Sequence, residues 1–139
     1  MAVTLSYAHL ADHVTTDSRG KPIVVGIFDV VVDAANVRPI PFPPCFLIAQ
    51  FAASLADGSD HRITMRLLDA DSNEVTNSPE GPIRFGTTGP GHPLSAVLIS
   101  RMMPGWVSVP DHGEYTLAFY VDGEPKGGLD IRVVPAPPR

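Results

Sequence analysis

A chain of 139 residues and 14.8 kDa, 44% of them hydrophobic, is long enough and apolar enough to bury one core, so a single domain over residues 1–139 is expected. Pro (15) and Gly (12) stay below the share that marks a low-complexity chain, which excludes a disordered chain, a coiled coil and a collagen. Ten Lys and Arg against 15 Asp and Glu give a net charge of −5, a balance that argues against a nucleic-acid binder.

In chain order, residues 1–5 carry neither a basic segment nor a long apolar one, so no signal peptide is expected. The two longest apolar stretches, residues 23–32 and 46–55, fall well short of the roughly 20 residues of a membrane helix. No membrane association is expected. Turn-forming clusters recur along the chain, at 18–22, 38–44, 57–60, 71–74, 86–93, 103–105, 110–113 and 122–125. Short apolar runs between regular turns indicate an all-β sandwich or barrel.

The runs between the turns alternate as half-buried strands do. Ile63, Met65 and Leu67 alternate with Arg62, Thr64 and Arg66. Tyr115, Leu117, Phe119 and Val121 form a second such set, and Leu129, Ile131 and Val133 a third. Period 2 sends one set to the core and the other to water. Residues 23–32 are apolar on both faces apart from Asp29, and are expected to form a central strand covered on both sides. In 46–55, Leu47, Ala49, Phe51, Ala53 and Leu55 share one strand face. Leu94, Val97, Leu98 and Met102 fit a helix after Pro93, but Leu94, Ala96 and Leu98 also fit a strand. The strand is favoured because its neighbours are strands. Pro39, Pro41, Pro43 and Pro44 make a stiff connector that cannot join a central ladder and is placed to carry the chain between two sheets. Residues 135–139 form a Pro-rich tail. The expected fold is an immunoglobulin-like antiparallel β-sandwich of seven or eight strands in two sheets.

The segment Asp111-His112-Gly113-Glu114-Tyr115-Thr116-Leu117 resembles the D-x-G-x-Y-x-C signature of immunoglobulin-like domains, with Leu117 where that signature has Cys. The resemblance implies structural roles for Tyr115, whose hydroxyl would bond back to the corner backbone, and for Gly113. A second resemblance runs along the chain through Tyr7-Ala8-His9, Gly20-Lys21, residues 23–29, Gly113-Glu114-Tyr115 and Val121-Asp122-Gly123-Glu124. In these features the sequence is similar to a family of small bacterial proteins of unknown function. That resemblance implies a bacterial source and a stand-alone β-sandwich, and it carries no activity.

Few residues point to chemistry. Asp69, Asp71, Asn73 and Glu80 have the spacing of oxygen ligands in a calcium loop, but Glu74 stands where that loop needs Gly and no flanking helix is visible. A hairpin turn is the expected reading. His9 and His13 would share a zinc on a helix, but on a strand they stand about 13 Å apart. His61, His92 and His112 fall at turns and are expected to be solvated. Cys45, the lone cysteine, precedes an apolar run and is expected to be a buried hydrophobe. With one cysteine no internal disulfide forms, which favours the cytoplasm. There is no G-x-S-x-G elbow, and the Gly-rich stretch 86–92 lacks the Lys-Ser/Thr ending of a phosphate loop.

No cofactor, metal or catalytic residue is therefore expected. The expected function is a non-enzymatic interaction or structural module with a protein partner or self-association. Trp106 with Met102 and Met103, and Phe42 in the Pro-rich connector, are the candidate contact residues. The alternative is a small-ligand or carbohydrate-binding sandwich that uses Trp106 and loop tips for stacking.

Overall fold

The computed structural model describes residues 3–78, 80–87, 94–102 and 107–138. Their strands are β1 (Thr4–Thr16), β2 (Pro22–Phe28), β3 (Val30–Asp33), β4 (Ile40–Pro41), β5 (Cys45–Ala53), β6 (Asp60–Leu68), β7 (Glu74–Asn77), β8 (Gly81–Arg84), β9 (Leu94–Met102), β10 (Ser108–Val109), β11 (Gly113–Val121) and β12 (Glu124–Pro135). One short 3-10 turn, Leu55–Asp57, follows β5. The architecture is all-β, and among the described residues no helix is long and apolar enough to cross a membrane.

One sheet has four antiparallel strands in the order β2-β1-β5-β9. The other has six, in the order β3-β12-β11-β6-β7, with β8 also pairing with β6. There β3 runs parallel to β12, and the other pairings are antiparallel. β4 and β10 form a separate two-stranded ladder.

The alternation read from the sequence places the core. Tyr115, Leu117, Phe119 and Val121 of β11 are buried, as are Ile63 and Leu67 of β6 and Ile131 and Val133 of β12. They pack against Leu10 of β1 and Leu47, Ala49 and Phe51 of β5, so the two large sheets share one core. Phe51 and Phe119 meet edge to face across it, with ring centres 5.7 Å apart. Each such buried ring stabilises the fold by about 1.5–3 kcal/mol relative to exposure.

Residues 94–102 form a strand, the favoured alternative. The Pro-rich connector carries the chain from β3 in the six-stranded sheet to β5 in the four-stranded one, as its stiffness implied. On the way β4 pairs only with β10, so the prolines interrupt no central ladder.

Three expectations are corrected. The strands do not form two purely antiparallel sheets, because β3 runs parallel to β12 and β4 and β10 make a third ladder. The strand count is higher than seven or eight, because β3, β4, β7, β8 and β10 have only two to four residues, too few to display a period. Residues 23–32 are not one central strand. The run divides at Asp29, whose carbonyl accepts the Arg132 N–H at 2.9 Å. β2 then forms an edge of the four-stranded sheet and β3 an edge of the six-stranded one. Gly26, at φ +73, leaves room for the Asp12 side chain, against which a Cβ at this position would press.

Candidate functional site

The apolar character of β2 sets up the most unusual surface of the molecule. Residues paired across strands share a face, so the register defines rows on the outer side of the four-stranded sheet. One row is Ile27, Ala11, Phe46 and Arg101. The next rows are His9, Ile48 and Ile99, then Tyr7, Gln50 and Val97. In the other direction come Val25 with His13 and Ile23 with Thr15. Ala11 and Ile48, in the middle, are fully buried and form a second small cluster with the buried Val14, on which Tyr7, Val24 and Phe46 pack. The flanks are open: Ile23, Val25 and Ile27 are 45–57% exposed, and Val97 and Ile99 about 40%. Arg101 is the one Lys, Arg, Asp or Glu in these rows.

The histidines of β1 belong to this face. His9 stacks on Tyr7 with ring centres 5.7 Å apart, and His13 meets Phe46 edge-on at 5.4 Å. Both lie on one extended strand, so the zinc geometry of a helix is not formed. The outer face of the six-stranded sheet differs in character. There Arg66, Glu114, Asp130 and Arg132 lie on one side, with Arg132 paired to Glu114 at 3.3 Å and Arg66 over the Tyr120 ring.

A groove of about 750 Å³ opens at one end of the six-stranded sheet. Its lining includes Asp29, Asp69, Glu114 and Asp130 against one cation, Arg132, together with Tyr115. Asp130 accepts the Thr116 hydroxyl at 3.0 Å. Nothing in the sequence pattern pointed to this groove, because its residues come from β3, β6, β11, β12 and two loops.

The residues singled out from the sequence fall as follows. Phe42 and Met102 are buried at 3% exposure, which removes both from any contact patch; the Phe42 N–H donates to the Val107 carbonyl. Phe42 of the connector turns into the core, and Met102, at the end of β9 opposite Cys45, does the same. Trp106 and Met103 lie outside the described residues. Asp69, Asp71, Asn73 and Glu80 do not converge as ligands. Asp69 Oδ1 accepts the N–H groups of Asp71 and Asn73 at 2.9 and 2.8 Å, which shapes the β6–β7 turn. Glu80 instead meets Arg62 Nε at 2.7 Å. Among the described residues no group of three or more His, Cys, Asp or Glu is placed to hold a metal ion.

Cys45 is buried, and burial, helped by the Asp12 charge, pushes its thiol up to about 11. The Tyr115 hydroxyl donates to the Asp111 carbonyl at 2.7 Å, four residues back, and Gly113 at φ +151 begins the strand between them. Burial holds the Tyr115 phenol above its ordinary value.

Two histidines expected in solvent are in fact structural. His61 is buried, with Nδ1 2.6 Å from Asp122 Oδ2 and Nε2 3.0 Å from the Gly58 carbonyl. Both partners are acceptors, so the imidazolium donates from both nitrogens. The Asp122 bond raises the ring's pKa against the opposing effect of burial, and the same bond lowers that of Asp122. His112 Nε2 lies 2.9 Å from the buried Asp33, which also accepts from Arg38 at 3.0 Å and the Asn36 N–H at 3.0 Å. The His112 bond is the largest cause that lowers the Asp33 pKa. These bonds tie β3, the connector and the turn before β11 together. His92 lies outside the described residues.

Residues 6–134 match the family of unknown function DUF6941. The chain belongs to that family. The DUF6941 match runs from β1 into β12, so both large sheets and the apolar face lie within it. No curated protein matches the chain.

Proposed function

We propose that this DUF6941 protein is a non-enzymatic protein-interaction module that makes contact through the outer face of its four-stranded sheet. The observation that carries this reading is the set of five exposed aliphatic side chains, Ile23, Val25, Ile27, Val97 and Ile99, on one nearly uncharged sheet face. Isolated exposed apolar residues are ordinary, but five of them on the two edge strands of one four-stranded sheet mark a contact surface. The reading includes an immunoglobulin-like sandwich. The shared core and the Tyr115 bond to the Asp111 backbone support that class. It also includes a bacterial cytoplasmic setting, supported by the lone buried thiol and the sequence resemblance.

The test is affinity retention from the source lysate with three baits: the wild type, Val25→Glu/Ile99→Glu, and Val32→Glu. Val32 is 47% exposed on β3 and serves as an equally apolar control away from the face. Proteins retained by the wild type and Val32→Glu but lost from the double variant support the reading. Equal retention by all three baits refutes it. The second reading, a small-ligand binder, is favoured by the groove, whose 750 Å³ falls within the range of ligand sites. A thermal-shift panel of sugars and cationic metabolites tests it, and Asp130→Ala should abolish any shift found.

A further inference from the structure

We propose that the occupant of the apolar face is a second copy of this chain, packed sheet on sheet about a two-fold axis. The proposal rests on the interaction-surface reading and names its partner. Charge is the first argument. Each copy carries −5, so two copies repel wherever their acidic surfaces meet. A two-fold contact sets a surface against itself, so every formal charge in it meets its own kind or must find a partner across the axis. The rows on the outer face of the four-stranded sheet hold no Asp or Glu, and their one formal charge, Arg101, stands at a corner on the β9 edge. The outer face of the six-stranded sheet carries Arg66, Glu114, Asp130 and Arg132, charges of both signs with Arg132 paired to Glu114, and offers no such surface.

Area is the second argument. One residue on a sheet face occupies about 4.8 Å by 6.6 Å, so the fourteen positions in the rows cover roughly 450 Å² in projection per copy. Two faces remove roughly 900 Å² in projection, below the roughly 1,200–2,000 Å² of stable pairs, so the contact belongs to the class of weak pairs that form at micromolar concentration. Shape is the third. The exposed aliphatics stand on the two flanking strands, β2 and β9, while Ala11 and Ile48 lie buried between them. A second sheet crossing at about 30° about that axis sets flank against flank, aliphatic on aliphatic, at the usual sheet spacing of roughly 10 Å.

Sedimentation velocity over about 1–100 μM protein tests this directly. The wild type and Val32→Glu are expected at twice the 14.8 kDa chain mass, and Val25→Glu/Ile99→Glu at the chain mass. The carboxylates should weaken the pair at least about a hundredfold, because each would be buried without a partner. The uncharged Val25→Thr/Ile99→Thr pair keeps strand propensity and should weaken it about tenfold, which keeps the test valid if the charged variant does not fold. A wild type at the chain mass throughout, or a Val32→Glu variant that dissociates as readily as the double variant, overturns the proposal. If the wild type is monomeric but the lysate baits still differ, only the second-copy identity falls. If the baits also behave alike, the surface reading falls with it.

Discussion

Replacing His61 with Ala removes a buried clamp, and its magnitude follows from the contacts. The Nδ1 bond to the Asp122 carboxylate at 2.6 Å is charge-assisted and belongs to the class that contributes about 1.5–3 kcal/mol. The Nε2 bond to the Gly58 carbonyl at 3.0 Å contributes less, about 1 kcal/mol. The edge contact with Phe85, ring centres 4.9 Å apart, adds about 0.5–1 kcal/mol. Asp122 keeps 47% of its side chain in water, so the variant leaves no buried charge behind. The bonds overlap in what they hold, and a total near 3 kcal/mol is expected.

The sign of the pH dependence follows from the direction of the shift. The folded pKa of His61 is raised above the unfolded value of about 6.5, so its stabilisation is complete below that value and is lost as pH rises through the folded pKa. On the acid side, the lowered pKa of Asp122 makes its contribution present above about 3.9 and lost as pH falls further. Urea unfolding of the wild type and His61→Ala at about pH 5.5 and 9.5 should therefore give the larger difference at the lower pH. Asp122→Asn keeps a residue that tolerates φ +52, and it should remove most of the same pH dependence. A difference below about 1 kcal/mol, or one equal at both pH values, would refute the clamp.

Gly26→Ala should destabilise by about 2 kcal/mol, because φ +73 disfavours a Cβ that would also press on Asp12; urea unfolding reads the loss, and Asp12→Ala should recover part of it. Asp33→Asn should lower stability at neutral pH by loosening Arg38 and His112. Because the Asp33 pKa is lowered, the difference from wild type should vanish as pH falls below about 3.9 and through the folded value, as acid titration followed by circular dichroism would show. Cys45, buried with its thiol pushed up to about 11, should react with a disulfide reagent at pH near 8 only after denaturant unfolds the chain.

The sequence showed the core more clearly than the surface. Tyr115, Leu117, Phe119 and Val121 alternate without interruption, and period 2 alone assigns them inward. The Tyr115 bond to the Asp111 backbone is what the resemblance of residues 111–117 to the immunoglobulin-like signature implies. Residues 23–32 misled for a physical reason: a run apolar on both faces looks the same whether its own chain covers the outer face or leaves it open. The edge position of β2 depends on pairing with β1, which no local pattern reports. His61 was missed because Asp122 lies 61 residues away and the intervening fold closes the contact. The proline-rich connector points Phe42 to the surface and the company of Trp106 points Met102 there, whereas both side chains belong to the main core. The calcium-like spacing of Asp69, Asp71 and Asn73 arose from the needs of a tight turn, whose N–H groups Asp69 accepts.

The most direct test of the contact surface is side-chain footprinting with a photogenerated carbene, at about 1 μM protein in buffer and at about 100 μM in the source lysate. Labelling of Ile23, Val25, Ile27, Val97 and Ile99 should fall several-fold in lysate relative to Val30 and Val32 on β3, which are exposed to a similar degree. Equal relative labelling of all seven residues in both conditions would contradict the account.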